Sequence, residues 1–281
     1  MNDLVDSLLE RSTARVSERL ELLRTEAPGH PALEALGTLH ETLARWPVAV
    51  TGPSDTAKVV EWLDGEVASA AAAVLGTSAA TFMRSLWQEL ALAVGAHAYD
   101  PAYPQSHCAY CHLRAGDAPA VLKAVATIEG RDRDPLALQW MTLARYRMSG
   151  WHACRVPFFT LALTAPQHLP ATVTAMAEPF LLGDWERFWL DCAWLDPRET
   201  TAGSWFPAWY LIEHPATRID EPVAVGNPEA SPVRAFQTTK LLLTLESGGY
   251  GAALISARTE LQRIDARLFR HYMSCREPRE V

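Results

Sequence analysis

The sequence predicts an all-α fold, either an irregular helical bundle or a short α-solenoid of paired antiparallel helices. Three observations carry that expectation. Apolar residues recur at three- and four-residue spacing along most of the chain, which places them on one face of a helix. Helix-start signals such as Asp134-Pro135 and Ser231-Pro232 stand between these stretches. Short polar or glycine-rich turns join the stretches, twice in a pattern that suits an αα-hairpin. No self-similar period of tetratricopeptide length appears, so a regular repeat array is not expected. The 281 residues, 49% of them hydrophobic, suffice for a sizeable core in one domain, with room for two lobes.

Residues 3–26 read as one amphipathic helix, with Val5, Leu9, Val16, Leu20 and Leu23 on its apolar stripe and Pro28 beyond its end. A second helix carries Leu33, Leu36, Leu39 and Leu43 to Trp46, with Pro31 suited to its first turn. A third runs from the turn cluster 51–55 to about Gly76, with Val59, Val60, Leu63, Val67 and Val74 inward. Ser78 can cap a fourth, which holds Phe82, Leu86, Leu90 and Val94. Residues 97–116 contain Pro101 and Pro104 and lose the apolar period, so they read as a long loop. That loop is the expected joint if the chain forms two lobes, 1–96 and 117–281.

Beyond the loop, helices are expected from Asp117 to about Glu129 and from Asp134 through Met148. The run from Val156 to Leu161 fits a strand or a buried helix. Helices return over about 170–182, 184–195 and 204–213, and residues 214–231, with three prolines, read as a loop. The last pair, 231–247 and 252–273, is joined by Gly248-Gly249-Tyr250-Gly251, a turn that asks for positive φ.

A net charge of −8 and a pI near 5.6 argue against non-specific nucleic-acid binding, which needs basic surface. Lys58, Lys123 and Lys240 are the only lysines, a bias that fits a GC-rich coding background. The first residues show no secretory leader, and no run of about 20 uninterrupted apolar residues offers a membrane span. A cytoplasmic protein with reduced thiols is therefore expected. Five cysteines without scaffold spacing do not suggest a disulfide framework.

The most conspicuous chemistry lies in His107-Cys108-Ala109-Tyr110-Cys111-His112, with Trp151-His152-Ala153-Cys154 further on. Thiolates and imidazoles gathered this way suit zinc, so Cys108, Cys111, His112 and Cys154 are the candidate metal ligands. Such a site would tie the long loop to the second half of the chain. The same residues match c-type haem attachment, and Cys108-x-x-Cys111 matches a dithiol redox pair. The bland reading makes the cysteines small buried hydrophobes and the histidines ordinary loop residues. Asp117 and Glu89 are the carboxylates to test if the ion is catalytic, and Glu89 would share a helix side with His97.

Residues 185–210 are dense in aromatics. Trp185, Phe188, Trp189 and Cys192 share one helix face, which reads more readily as a core layer than as a pocket. Trp194, Trp205 and Trp209 are the candidate anchors for a partner protein. Arg263, Arg267 and Arg270 read as a solvated, partly paired face. There is no phosphate-binding glycine loop, G-x-S-x-G elbow, H-E-x-x-H or Glu-x-x-His pair. The expected function is therefore non-enzymatic protein–protein interaction, as adaptor, regulator or effector-neutralising partner, with a possible structural zinc. The alternative is a metal-dependent enzyme centred on Cys108, Cys111 and His112.

Overall fold

In the computed structural model, which describes residues 2–95, 97–219, 221–246, 248–249 and 251–276, the chain runs through helices joined by turns and loops. Among the described residues there is no strand. The chain divides into two compact units, Met1–Ile128 and Glu129–Val281. The segment 97–116 therefore lies inside the first unit.

The first unit contains α1 (Asn2–Leu9), α2 (Thr13–Glu26), α3 (Leu33–Arg45), α4 (Pro53–Trp62), α5 (Ala68–Leu75), α6 (Ala79–Val94), α7 (Cys108–Ala115) and α8 (Ala118–Val125). The expected single helix over 3–26 is two helices. Arg11 takes a left-handed φ of 56° and breaks the run, and its guanidinium bonds the Glu89 carboxylate on α6. The break rotates α1, so Leu4 and Leu8 are buried in place of Val5 and Leu9. Between α4 and α5 one turn, Leu63–Val67, is a π-helix that keeps Leu63 and Val67 in the core. In α6, Phe82, Leu86, Leu90 and Val94 are buried as their spacing predicts.

Helical structure is nearly continuous from Pro53 to Val94, and one window of it is apolar and long enough to cross a membrane by composition. About a third of that window is buried (33%): α6 packs on α7, α5 packs on α3, and Leu86 and Trp87 are fully buried.

The expected loop over 97–116 is the largest correction. After a short 3-10 turn at Pro104–Ser106, α7 begins at Cys108, with His107 as its N-cap. Gly116 closes the helix in the left-handed conformation (φ 79°), which costs glycine little. Asp117 then caps α8 by accepting from the Ala120 amide. The segment escapes a periodicity search because α7 is only two turns long and buries cysteine and alanine beside a single leucine, Leu113.

The second unit holds α9 (Pro135–Thr164), α10 (Leu169–Met176), α11 (Pro179–Asp191), α12 (Phe206–Glu213), α13 (Ser231–Glu246), α14 (Ala252–Ile264) and α15 (Ala266–Ser274). The Asp134 side chain caps α9 at the Leu136 and Ala137 amides, as the Asp-Pro signal predicts. Gly150, at φ 70°, interrupts α9. Beyond that break the ambiguous run 156–161 is helix, with Phe158, Phe159 and Leu161 fully buried. The expected helix 252–273 is also divided. Asp265 leaves helical geometry and caps α15 at the Arg267 and Leu268 amides. Arg263 pairs with Glu260 and Arg267 with Asp265, so this basic face is partly paired as expected. Ser247 and Tyr250 of the glycine turn lie outside the described residues; Gly249 has the expected positive φ of 87°.

Candidate functional site

In α7 the sequence-conspicuous donors are used for packing and capping. His107 is buried, its Nδ1 accepts from the Ala109 amide at 3.3 Å, and its ring meets Tyr99 edge-on. Cys108 and Cys111 are buried; burial pushes the Cys108 thiol up and drives that of Cys111 to about 12. Thiols held protonated in this way are poor nucleophiles. His112 is half-buried, burial lowers its pKa, and its Nδ1 has no hydrogen-bond partner among the described residues. Cys154 belongs to the second unit, where its thiol donates to the Trp151 carbonyl and is pushed to about 12 by burial.

Both carboxylates proposed for a catalytic ion have other partners. Glu89 is engaged by Arg11 and by the indole N–H of Trp46, and the bond from Arg11 holds its carboxyl below the usual range. Asp117 is a helix cap. Of the candidate anchors, Trp209 is fully buried and cannot meet a partner, while Trp194 and Trp205 are half-buried. Trp194 lies under the Arg267 guanidinium. The aromatic-rich stretch is a core layer: Phe188, Phe206 and Trp209 pack ring against ring, with Trp185 stacked on Phe188.

A different set of donors converges in the second unit. Glu213 ends α12, His271 lies in the last turn of α15, and Cys275 is its C-cap. Helical spacing of four residues puts His271 and Cys275 on one face. Glu213 Oε1 lies 2.9 Å from His271 Nε2 and 3.1 Å from Cys275 Sγ, and Sγ lies 3.9 Å from Nε2. Among the described residues this is the one group of three or more metal-ligand donors whose atoms gather within 4.8 Å. The α7 donors form no such group among the described residues.

Further groups surround it. Asp191, the last residue of α11, has Oδ2 3.9 Å from His271 Nε2 and accepts from the Trp209 indole N–H at 3.1 Å. Trp209 also stacks parallel to the His271 ring. Arg187, one turn earlier on α11, pairs with Glu213 through Oε2 and lies 3.7 Å from Asp191 Oδ2.

Three helices thus bring their C-terminal ends to one place. Each end carries partial negative charge from the helix dipole and two add a carboxylate, both of which pair with the Arg187 guanidinium. Burial pushes the His271 imidazole down, Arg187 adds to that shift and Asp191 opposes it. Burial thus favours the neutral form of the ring.

The geometry distinguishes convergence from a proton relay. In a nucleophile–histidine–carboxylate relay the carboxylate orients one ring nitrogen and the nucleophile meets the other. Here thiol and carboxylate both face Nε2. A tetrahedral zinc with bonds of about 2.0–2.3 Å spaces its ligand atoms about 3.3–3.8 Å apart. The observed triangle is within a few tenths of an ångström of that spacing. The His271 ring, the Cys275 thiol and the Arg187 guanidinium together satisfy Glu213; a metal here would be held by His271 Nε2, the Cys275 sulfur as thiolate and a Glu213 oxygen.

The sequence held a faint signal for this site in His271-x-x-x-Cys275, which spans the last turn of an amphipathic stretch. Glu213 stands far away in sequence, so nothing local connects it. Comparison with protein-family models, curated proteins and solved structures finds no match.

Proposed function

We propose that this chain is a metal-binding helical protein whose second unit takes one thiophilic divalent cation, zinc above others, on Glu213, His271 and Cys275. The observation that carries the reading is the meeting of an imidazole, a thiol and a carboxylate at ligand spacing where three helices end. Asp191 stands close enough for a side-chain rotation to bring it in as a fourth ligand. Four protein ligands close a zinc to water, which is the structural arrangement, whereas a catalytic zinc keeps one position open. The metal in this reading fastens α15, close to the end of the chain, to α11 and α12. Bound metal of that kind contributes directly to folding free energy.

The work done by a protein so fastened is read as recognition of another protein. Phe180, Leu182 and Leu190 of α11 are exposed, Leu190 to 76%, and Leu182 and Leu190 are two turns apart on one face. Exposed apolar side chains aligned on a helix suit a partner surface better than water.

The test is zinc uptake by the full chain after stripping with a chelator, read by a competing chromogenic ligand. One equivalent is expected, with His271→Ala abolishing uptake and Cys108→Ser leaving it unchanged. Absence of uptake, or its loss in Cys108→Ser alone, would sink the reading.

A further inference from the structure

The cluster already contains a cation of its own. The Arg187 guanidinium bonds Glu213, stands 3.7 Å from Asp191 and sits 5.6 Å over the Trp209 ring. Arg187 and Asp191 are four residues apart on α11, so the helix itself sets their relation. The Glu213 side chain is 9% exposed, whereas that of Arg187 is 49% exposed. Arg187 can therefore swing into water while the carboxylate, the ring and the helix ends stay in place.

We infer that Arg187 determines which metal this site accepts, because it makes every incoming ion compete with a built-in guanidinium for the two carboxylates. The inference rests on the metal reading above. Calcium, magnesium and manganese draw on oxygen ligands and gain most from carboxylate charge. At this site that charge belongs to Glu213 and Asp191, both of which face Arg187. Zinc draws in addition on the Cys275 thiolate and the His271 imidazole, to which no bond from Arg187 runs among the described contacts. The guanidinium therefore removes most of what a hard ion could use and only part of what a thiophilic ion could use.

Charge counting points the same way. Two carboxylates against one guanidinium leave a single net negative charge before the thiol ionises. Replacing Arg187 by a neutral residue doubles that charge and removes the competitor, so every divalent ion binds more tightly and hard ions gain the larger share. The repulsion acts over a few ångströms in a partly buried site, where salt screens it poorly. Lysine at 187 keeps a compact positive charge but lacks the planar fork that bonds a carboxylate through two nitrogens.

The experiment is a titration of Zn2+, Mn2+ and Ca2+ into chelator-stripped full-length protein, comparing wild type with Arg187→Gln and Arg187→Lys. Wild type is expected to take zinc and no manganese or calcium in the micromolar range. Arg187→Gln is expected to bind zinc more than tenfold more tightly and to acquire manganese binding, with Arg187→Lys closer to wild type. Zinc affinity that is unchanged or weaker in Arg187→Gln, with discrimination intact, overturns the inference while leaving the metal site standing. Zinc bound by none of the three proteins overturns the metal reading, and the inference with it.

Discussion

The α7 segment and the ends of α11, α12 and α15 both place thiols beside imidazoles, yet the two regions use them in opposite ways. In α7, two cysteines and two histidines fall within six consecutive residues, and a helix then spreads them around its axis. His107 turns back to cap the helix, the thiols enter the core and His112 stays half-buried. At the second site the three donors come from two helices far apart in sequence, Glu213 from α12 and His271 and Cys275 from α15, and folding alone brings them to one point. Closeness in sequence is a poor measure of closeness in space on a helix, where only residues three or four apart are neighbours. Helix ends carry charge and unpaired carbonyls, and their meeting makes a stronger case for a cation than any run of candidate ligands.

The most severe way to break this comparison is to remove the floor of the second site. Trp209 is fully buried, packs on Phe188, Phe206 and His271, and donates to Asp191. Trp209→Ala should cost about 3–5 kcal/mol, the range for deleting a large core aromatic. Chemical denaturation measures it; a loss below about 1 kcal/mol would mean that the ring is not the anchor of Asp191 and the aromatic layer. Trp194→Ala, at a half-buried site beneath Arg267, should cost far less.

Next in size is a pair of cysteine variants that separates a ligand from a core residue. Cys275→Ser should weaken zinc binding by more than about a hundredfold, since changes in groups that merely support ligands already cost 10–100-fold. Its effect on metal-free stability should be small, because a hydroxyl can still donate to Glu213. Cys111→Ser should do the reverse: zinc uptake unchanged, and stability lower by about 1–3 kcal/mol for a hydroxyl placed in a site without a partner. Metal titration and urea unfolding on the two variants give four numbers. The comparison collapses if Cys111→Ser, and not Cys275→Ser, loses the metal.

Much of the architecture was legible in the residues, and what was missed has physical causes. Leu36, Leu39, Leu43, Phe82, Leu86, Leu90 and Val94 are buried where their spacing puts them, and Asp117 and Asp134 cap the helices they were expected to start. Helix breaks at Arg11 and Asp265 were missed because apolar periodicity continues across a one-residue change of backbone direction. Neither break carries a glycine or proline to announce it. α7 was missed because cysteine and alanine make up most of its buried face, and Leu113 alone forms no leucine-type stripe. Of the second site, local pattern offers only the four-residue spacing of His271 and Cys275; Asp191 and Glu213 join them only through tertiary packing.

Acid probes both regions at once. Burial lowers the pKa of His107 and His112 in the first unit and of His271 in the second. The unfolded chain keeps ordinary imidazoles near about 6.5, so below that pH it binds protons that the folded chain refuses. Stability from these groups is therefore whole above that value and lost as pH falls below it. Zinc adds a second dependence at the second site alone, since ligation needs a neutral His271 ring and a deprotonated Cys275 thiol. Thermal melts at descending pH should show Tm falling with and without zinc, and the increment that zinc confers should shrink as well. A zinc increment that stays constant well below the unfolded histidine value would show that His271 is not a ligand.

The smallest expected effect concerns the cap that aims the second site. Asp265 breaks what would otherwise be one long helix and starts α15 by accepting from the Arg267 and Leu268 amides. That bend sets the direction in which α15 carries His271 and Cys275 toward Glu213. Asp265→Ala should cost about 1 kcal/mol, as other lost caps do. Asp265→Asn retains an accepting oxygen and should cost only a few tenths by the same measure. If the cap also aims the ligands, Asp265→Ala should weaken zinc binding severalfold while Asp265→Asn does not. Equal zinc affinity in both variants, alongside the stability loss in one, would leave the cap with the helix alone and make packing against α12 and α14 sufficient to point the site.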